Sequence, residues 1–212
     1  MQGYLSLFQF LAASAIAGAL AKLADDYQDK RLNIAPGVAL IAAILYGAIL
    51  GILSAFTPLA SLFLALAIAN ALAKKLDGIH LAGFGAFSAI IIFAGLSYFD
   101  PYIFSLFLVC GLFDELSLKR PKILAQFFEN RLATPAAALF ILIHSAEPIY
   151  LGAIISFDIL YRLAGFAAPK IFGTKIAETK SPETIATESK SAETKITGKK
   201  SSELKTPGAK TQ

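Results

Sequence analysis

Residues 36–56 read PGVALIAAILYGAILGILSAF, an uncharged and mostly apolar run that opens with a proline. A helix needs about 20 apolar residues to cross the hydrocarbon core of a membrane, which is about 30 Å thick. Proline suits the first turn of a helix, where its missing N–H removes no hydrogen bond. The run therefore predicts a transmembrane helix. Gly47 and Gly51 within it form a Gly-x-x-x-Gly pattern, which predicts the close approach of a second helix.

Similar apolar runs lie on both sides of this one and bring the predicted membrane-spanning segments to about six. The other five are residues 5–24, 58–76, 79–99, 101–118 and 135–163. The chain of 212 residues is 56% hydrophobic and 16% charged, whereas a soluble domain is about 25% charged. The sequence thus predicts an all-α, polytopic integral membrane bundle over residues 1–168, located in the cell membrane with lipids as its partners. Self-association into a homo-oligomer is left open.

Positive charges follow alternate segments. Of the ten Lys and Arg residues before residue 170, nine lie at the ends of the first, third and fifth segments or in the loops after them. Short loops rich in Lys and Arg stay cytoplasmic, so these three ends are predicted to lie inside. The last segment is interrupted at residues 146–148, Ala-Glu-Pro. A single crossing, the favoured interpretation, places the following tail outside, whereas a hairpin at this point places it inside.

Residues 169–212 form a tail rich in Lys, Ser, Thr and Glu that holds the whole net charge of +4. Lysine occupies every fifth position from 170 to 210 except that of Ile185. A period of five builds no apolar face on a helix or a strand, so the composition predicts a disordered segment. Because the remaining chain is formally neutral, the basic character gives no support for nucleic-acid binding. The tail is either a solvated spacer or a tether for anionic lipids.

Two stretches of the chain repeat each other. Residues 15–25, AIAGALAKLAD, match residues 67–77, AIANALAKKLD, at eight of eleven positions. The separation spans two predicted segments, so both copies are expected to run in the same direction. The bundle is therefore predicted to contain duplicated hairpins.

Acidic residues gather at the three predicted cytoplasmic ends. Carboxylates from several helices suit Mg²⁺, which binds one or two of them together with the phosphate oxygens of a substrate. The proposed metal ligands are Asp25, Asp29, Asp77 and Asp114. The first three of them are also the proposed catalytic residues. Alternatively, the acids and neighbouring bases at these ends are solvated anchors that neutralise one another.

Basic and amide side chains beside these acids predict a phosphate site. The proposed substrate-binding residues are Lys22, Lys30, Arg31, Asn70 and Lys74. The favoured function is an enzyme or binder that uses a divalent cation on a lipid-linked phosphate, from an isoprenoid or a glycerolipid, at the cytoplasmic membrane face. A non-catalytic membrane scaffold is an alternative, and it predicts no polar cavity.

Two loops resemble those of a known family. Residues 25–29, Asp-Asp-Tyr-Gln-Asp, with Asn33 and Pro36 after them, are similar to the first aspartate-rich loop of the UbiA-type membrane prenyltransferases. Residues 74–83 look like a later basic loop of that family. The likeness covers about 30 residues. A second aspartate-rich loop is absent, and six predicted segments stand against the nine usual in that family, so the resemblance is confined to these loops.

His144 and Glu147 lie near the centre of an apolar stretch, residues 136–157, and are followed by Pro148. Their spacing puts both on one face of a continuous helix. Ionisable groups at mid-depth in a membrane are costly and often serve proton or ion pathways. The alternative function is therefore a small transporter coupled to protons or cations, and the alternative structural role is a buried pair that fixes helix packing.

Overall fold

The computed structural model describes residues 7–29, 32–74, 76, 78–96, 98–115 and 132–173. Within these ranges the chain forms seven helices and no strand, which confirms the predicted all-α class. The helices are α1 Leu7–Gln28, α2 Pro36–Phe56, α3 Ala60–Leu72, α4 Gly78–Ala94, α5 Pro101–Glu115, α6 Ala133–Ser145 and α7 Ile149–Phe172.

Three of the described helices are long and apolar enough to cross a membrane. They are α1, α2 and α7, with mean hydropathies of 1.6, 2.4 and 1.5, and α3, α4 and α6 are shorter apolar helices. Large apolar side chains also point away from the bundle, among them Phe8, Ile92, Phe93 and Ile143, each more than three-quarters exposed. Extensive apolar exposure of this kind is typical of a surface that contacts lipid or another protein. The architecture is that of a helical membrane bundle.

Small residues bring the helix backbones together. The most extensive interfaces join α1 to α7, α2 to α4 and α3 to α5. A Cβ placed on Gly47 would overlap the carbonyl oxygen of Gly83, and one on Gly51 would lie 3.1 Å from the Phe87 oxygen. This confirms the close contact predicted from Gly47 and Gly51, with α4 as the second helix. Gly18 plays the same part between α1 and α7, where its Cβ would overlap the Phe157 carbonyl.

Successive helices run in alternating directions, so the bundle has two distinct ends. The acidic end, as we name it, holds Asp25, Asp29, Asp114 and Glu115, the ends of α1, α3, α5 and α7, and the starts of α2, α4 and α6. The opposite end holds the remaining termini. α1 and α3, which contain the repeated stretches, run in the same direction, as expected. They differ in length, because α1 continues to Gln28 whereas α3 stops at Leu72.

The structure differs from the favoured interpretation of residues 135–163. Instead of one crossing there are two antiparallel helices, α6 and α7, joined by residues 146–148. Ala146 adopts a left-handed conformation with φ of 56° that closes α6. Pro148 supplies no N–H, and proline disfavours helical backbone in the residue before it, so the helix breaks here. The single-crossing interpretation is therefore wrong. Gly173, just after α7, lies at the acidic end, where its carbonyl accepts the N–H of Asn33 at 3.2 Å.

Several predictions fall outside the described residues. These concern Lys30, Arg31, Asp77 and residues 174–212 of the predicted tail. The first residues of that tail continue α7 as far as Phe172, four residues beyond the predicted boundary at 168.

Candidate functional site

A cavity of about 620 Å³ reaches the acidic end of the bundle. Ligand-binding cavities typically measure about 300–1,000 Å³. Most of its polar lining comes from residues close to the acidic end, among them Asp25, Lys74 and His80, whereas Phe63 lines it from the first turn of α3 and Phe87 from the middle of α4. The cavity is therefore polar near the acidic end and mostly apolar farther into the bundle, where Asp158 is an acidic exception.

The cavity brings together five of the side chains predicted from the sequence. They come from α1, α3 and α5 and the residues just after these helices: Asp25, Asp29, Asn70, Lys74 and Asp114. Of the other predicted residues, Lys22 lies next to the cavity, and Lys30, Arg31 and Asp77 lie outside the described residues. The lining thus includes acids from the end of α1, Asp25 and Asp29, and from α5, Asp114. The expected convergence of Asp25 and Asp29 with Asp77 stays a prediction, because Asp77 lies outside the described residues.

Asp25 belongs to a hydrogen-bonded network that crosses four helices. Its Oδ1 lies 2.8 Å from His80 Nε2 on α4, and its Oδ2 accepts the hydroxyl of Tyr161 on α7. The other ring nitrogen of His80, Nδ1, lies 2.9 Å from the hydroxyl oxygen of Tyr46 on α2. The His80 side chain is 14% exposed and that of Asp25 34%. The network therefore forms a largely enclosed polar wall of the cavity.

The chemistry of these groups limits where the protons can lie. An ionised carboxylate only accepts hydrogen bonds, so His80 Nε2 carries the proton that it donates to Asp25. In a neutral imidazole, Nδ1 is then an acceptor, and the Tyr46 hydroxyl donates to it. In an imidazolium, both ring nitrogens donate and Tyr46 accepts. A proton can therefore lie on either side of the Tyr46–His80 hydrogen bond without breaking the chain to Asp25.

Glycine makes room for this arrangement. Gly83 follows His80 by three residues on α4, and a Cβ on it would lie 2.8 Å from both Cζ and the hydroxyl oxygen of Tyr46. Any larger residue at this position would push the Tyr46 ring away from His80. The close packing of α2 on α4 at Gly47 thus also sets the distance between the tyrosine and the histidine.

Lys22 is engaged beside the cavity rather than inside it. Its Nζ lies 2.8 Å from Asp26 Oδ1 and 5.0 Å from the centre of the Tyr161 ring. Asp26 is only 3% exposed, and a charge buried to that degree requires a partner. The amine therefore neutralises Asp26 and packs on the ring of the tyrosine that binds Asp25. Its predicted role in binding a phosphate is not tested by this geometry.

Asp114 holds the start of α6. Its Oδ1 accepts the N–H of Ala133 at 3.0 Å, and its Oδ2 accepts the N–H and the hydroxyl of Thr134 at 2.8 and 2.7 Å. These N–H groups lie at a helix N-terminus and have no partner within the helix. Both carboxylate oxygens of Asp114, a predicted metal ligand at the end of α5, therefore cap the N-terminus of α6.

We expect Asp114→Ala to lower the free energy of unfolding by about 1–2 kcal/mol, because the first turn of α6 loses its acceptor. Thermal unfolding of the purified protein in lipid nanodiscs measures the effect. The matched control is Asp158→Ala, which removes a carboxylate from an exposed ion pair with Arg162. Such surface pairs contribute about 0–1 kcal/mol. An equal loss in both variants would contradict the capping role.

Among residues 7–29, 32–74, 76, 78–96, 98–115 and 132–173, no group of three or more His, Cys, Asp or Glu side chains is arranged to hold a metal ion. Asp77 lies outside these ranges. Mg²⁺ binding therefore stays a prediction.

His144 and Glu147 lie at the opposite end of the bundle. His144 is in the last turn of α6 and stacks on Phe140 at 5.9 Å between ring centres, and Glu147 occupies the turn before α7. Both side chains are exposed. Their expected position at mid-depth in one continuous helix is therefore wrong, and their use in transport stays a prediction without the burial that suggested it.

Sequence reasoning missed three members of the network: Tyr46, His80 and Tyr161. One signal was available, because Tyr46 is a hydroxyl-bearing residue in the middle of the uncharged run of α2. A buried hydroxyl needs a hydrogen-bond partner. The sequence does not say which helix supplies it.

No protein-family model matches this chain, and neither a curated protein nor a solved structure matches it.

Proposed function

We propose that this chain is a multi-pass protein of the cell membrane and an enzyme or binder that takes a lipid-linked phosphate into the cavity at the acidic end. One observation carries the proposal: a single cavity combines Asp25, Asp29, Lys74 and His80 at the acidic end with a mostly apolar lining farther in. A lipid-linked phosphate has the same division into a charged head and a hydrocarbon chain.

The apolar part of the cavity suits the chain of such a molecule. Phe63, Leu66, Phe84 and Phe87 line it from α3 and α4. Each methylene that leaves water for an apolar site contributes about 0.8 kcal/mol. A few isoprenoid or acyl carbons among these side chains would therefore supply several kcal/mol of binding free energy.

The polar part needs a cation before a phosphate can approach its carboxylates. Lys74 lines the cavity, and Lys30, Arg31 and Lys75 adjoin lining residues in the sequence. Mg²⁺ commonly binds one or two carboxylates together with substrate phosphate oxygens, so a site with few protein ligands fits this ion. We assign Asp29 and Asp77 to the ion and Asp25 to the hydrogen-bonded network, because both oxygens of Asp25 already accept hydrogen bonds.

We expect farnesyl phosphate with Mg²⁺ to stabilise the protein in nanodiscs. A ligand at 100 times its Kd adds about 2.7 kcal/mol to the free energy of unfolding, which corresponds to a rise in Tm of about 5–10 °C for a chain of this size. Phosphatidic acid tests the glycerolipid class, farnesol the chain without phosphate, and inorganic phosphate the head without a chain.

The Asp29→Asn variant should lose the part of this stabilisation that depends on Mg²⁺. Glu147→Gln, which neutralises an exposed carboxylate at the opposite end, is the matched control and should behave as wild type. Stabilisation by farnesol equal to that by both lipid phosphates would overturn the proposal, as would equal losses in the two variants.

The two alternatives have less support. Transport through His144 and Glu147 rested on their burial in one helix, whereas both are exposed beside a turn. The scaffold alternative predicted no polar cavity, and the cavity at the acidic end argues against it.

A further inference from the structure

Three side chains in the wall of the cavity are connected as an acid–base system. The Tyr46 hydroxyl oxygen lies 2.9 Å from His80 Nδ1, and His80 Nε2 lies 2.8 Å from Asp25 Oδ1. Enzymes that activate a hydroxyl use the same order, in which a reactive group contacts a base and a third group orients that base. Both distances fall in the range of about 2.6–3.2 Å that such transfer requires.

We propose that Tyr46, His80 and Asp25 form an acid–base triad in which the Tyr46 hydroxyl exchanges a proton with the molecule bound in the cavity. The inference rests on the proposed function in one respect, namely that the cavity holds a ligand. It adds the residue that contacts the ligand and the step that this residue performs.

Tyr46 is the member of the triad that contacts the ligand. Both ring nitrogens of His80 are engaged, one by Asp25 and one by Tyr46, so the imidazole acts through its neighbours. Tyr46 lines the cavity, and a phenolic oxygen that donates its proton still has lone pairs to accept another hydrogen bond. The tyrosine therefore links the histidine to the contents of the cavity.

The proton transfer needs no further reactant. When the bound molecule gives a proton to the Tyr46 oxygen, the phenolic proton moves to His80 Nδ1 and an imidazolium forms beside the Asp25 carboxylate. The reverse sequence returns one proton to the ligand. Asp25 stays ionised throughout and acts as a positioning residue that stabilises the imidazolium.

The surrounding contacts hold the triad in place. Tyr161 donates to the second oxygen of Asp25, and Lys22 packs on the Tyr161 ring. Gly83 leaves the space that the Tyr46 ring fills. The hydrogen bond from Tyr161 thus restrains the Asp25 carboxylate through the oxygen that does not contact His80. The space beside Gly83 lets the Tyr46 ring pack against α4.

A lipid-tailed sulfonyl fluoride tests this triad without knowledge of the natural substrate. Full-length protein in nanodiscs is treated with hexadecylsulfonyl fluoride, and labelled tyrosines are identified by peptide mass spectrometry. The tyrosine oxygen forms a bond to sulfur, the S–F bond breaks, fluoride leaves, and the phenolic proton passes to the base. The expected result is labelling of Tyr46 about 100-fold faster than Tyr102, which is 87% exposed, because a positioned base contributes about 10²–10⁴ in rate.

The variants separate an acid–base role from a structural one. His80→Gln and Asp25→Asn should slow the labelling of Tyr46 at least tenfold, whereas His144→Gln, which removes the other histidine, should leave it unchanged. The pH profile is the readout that a packing role would not move. In wild type the rate should be nearly flat from pH 7 to 9, while in His80→Gln it should rise about tenfold per pH unit, as the phenolate fraction of an unassisted tyrosine does.

The outcomes are distinguishable. Labelling of Tyr46 no faster than that of Tyr102, or an unchanged rate and pH profile in His80→Gln, would overturn the triad. Since His80→Gln can impair folding, the measurement is repeated with Asp25→Asn, and variants are compared only when their Tm lies within a few degrees of wild type. Fast labelling that farnesyl phosphate with Mg²⁺ does not block would leave the triad standing and count against the proposed function.

Discussion

The Gly47→Ala variant should unfold at a temperature about 6–12 °C below that of the wild-type protein. The added Cβ would overlap the carbonyl oxygen of Gly83 on the neighbouring helix. Backbone atoms of two packed helices cannot rotate away as a side chain can, so α2 and α4 must move apart. Overpacking of this kind costs about 3 kcal/mol, and each kcal/mol corresponds to about 2–4 °C in a chain of this size.

Gly85→Ala is the matched control, because it makes the same chemical change in α4 at a position where a Cβ meets nothing within 4 Å. Alanine favours a helix over glycine by up to about 1 kcal/mol, so this variant should be neutral or slightly more stable. Thermal unfolding in nanodiscs, followed by circular dichroism at 222 nm, measures both variants. Equal Tm values for the two would contradict the close contact of α2 with α4.

The separation of α2 from α4 in Gly47→Ala should also reach the triad. Tyr46 precedes Gly47 directly, and its hydroxyl lies 2.9 Å from His80 Nδ1 on α4. A movement of about 1 Å would take this pair out of hydrogen-bond range. The variant should therefore lose the rapid sulfonyl labelling of Tyr46 even at temperatures where it remains folded.

The sequence predicts those helices best whose ends carry a local signal. The predicted bounds of the second segment coincide with those of α2, Pro36–Phe56, because a proline opens the run and Thr57 with Pro58 closes it. Long apolar runs also predict the membrane character correctly. Both properties are local, since they depend on neighbouring residues in the chain and on the thickness of the hydrocarbon.

Residues 135–163 show where hydropathy fails. The apolar run passes through residues 146–148 almost without interruption, and a hydropathy profile does not record the direction of the chain. What reverses it is backbone geometry: the left-handed Ala146, with φ of 56°, and Pro148, which follows two residues later. Alanine rarely takes this conformation, so the turn has no clear signal in residue type.

The site was only half predictable for a similar reason. Asp25, Asp29 and Asp77 were expected to converge because each lies near the end of a predicted segment that runs in the same direction. Asp25 and Asp29 line the cavity, and Asp77 lies outside the described residues. The hydrogen-bonded network was not predicted, because helix packing determines which residues become partners. Tyr46 and His80 are 34 residues apart in the sequence, and Asp25 and Tyr161 are 136 apart. Periodicity along one helix carries no information about which other helix packs on it.

Asp25→Ala should lower the free energy of unfolding by about 2–6 kcal/mol, because two partly buried donors, His80 Nε2–H and the Tyr161 hydroxyl, lose the Asp25 carboxylate as acceptor at about 1–3 kcal/mol each. The matched control is Glu147→Ala, which removes an exposed carboxylate in the turn before α7. Surface substitutions of this kind usually change stability by less than about 0.5 kcal/mol. Comparable losses in the two variants would show that the network does not stabilise the bundle.

A double-mutant cycle with Tyr161→Phe assigns that loss to the network. Phenylalanine keeps the ring that Lys22 contacts but removes the hydroxyl that donates to Asp25. In the Asp25→Ala background the hydroxyl no longer has the Asp25 carboxylate as an acceptor, so removing it should cost less than in wild type. The coupling free energy should be about 0.5–3 kcal/mol. Strict additivity would mean that Asp25 and Tyr161 stabilise the bundle independently, and the restraint that keeps Asp25 facing His80 would then have to come from elsewhere.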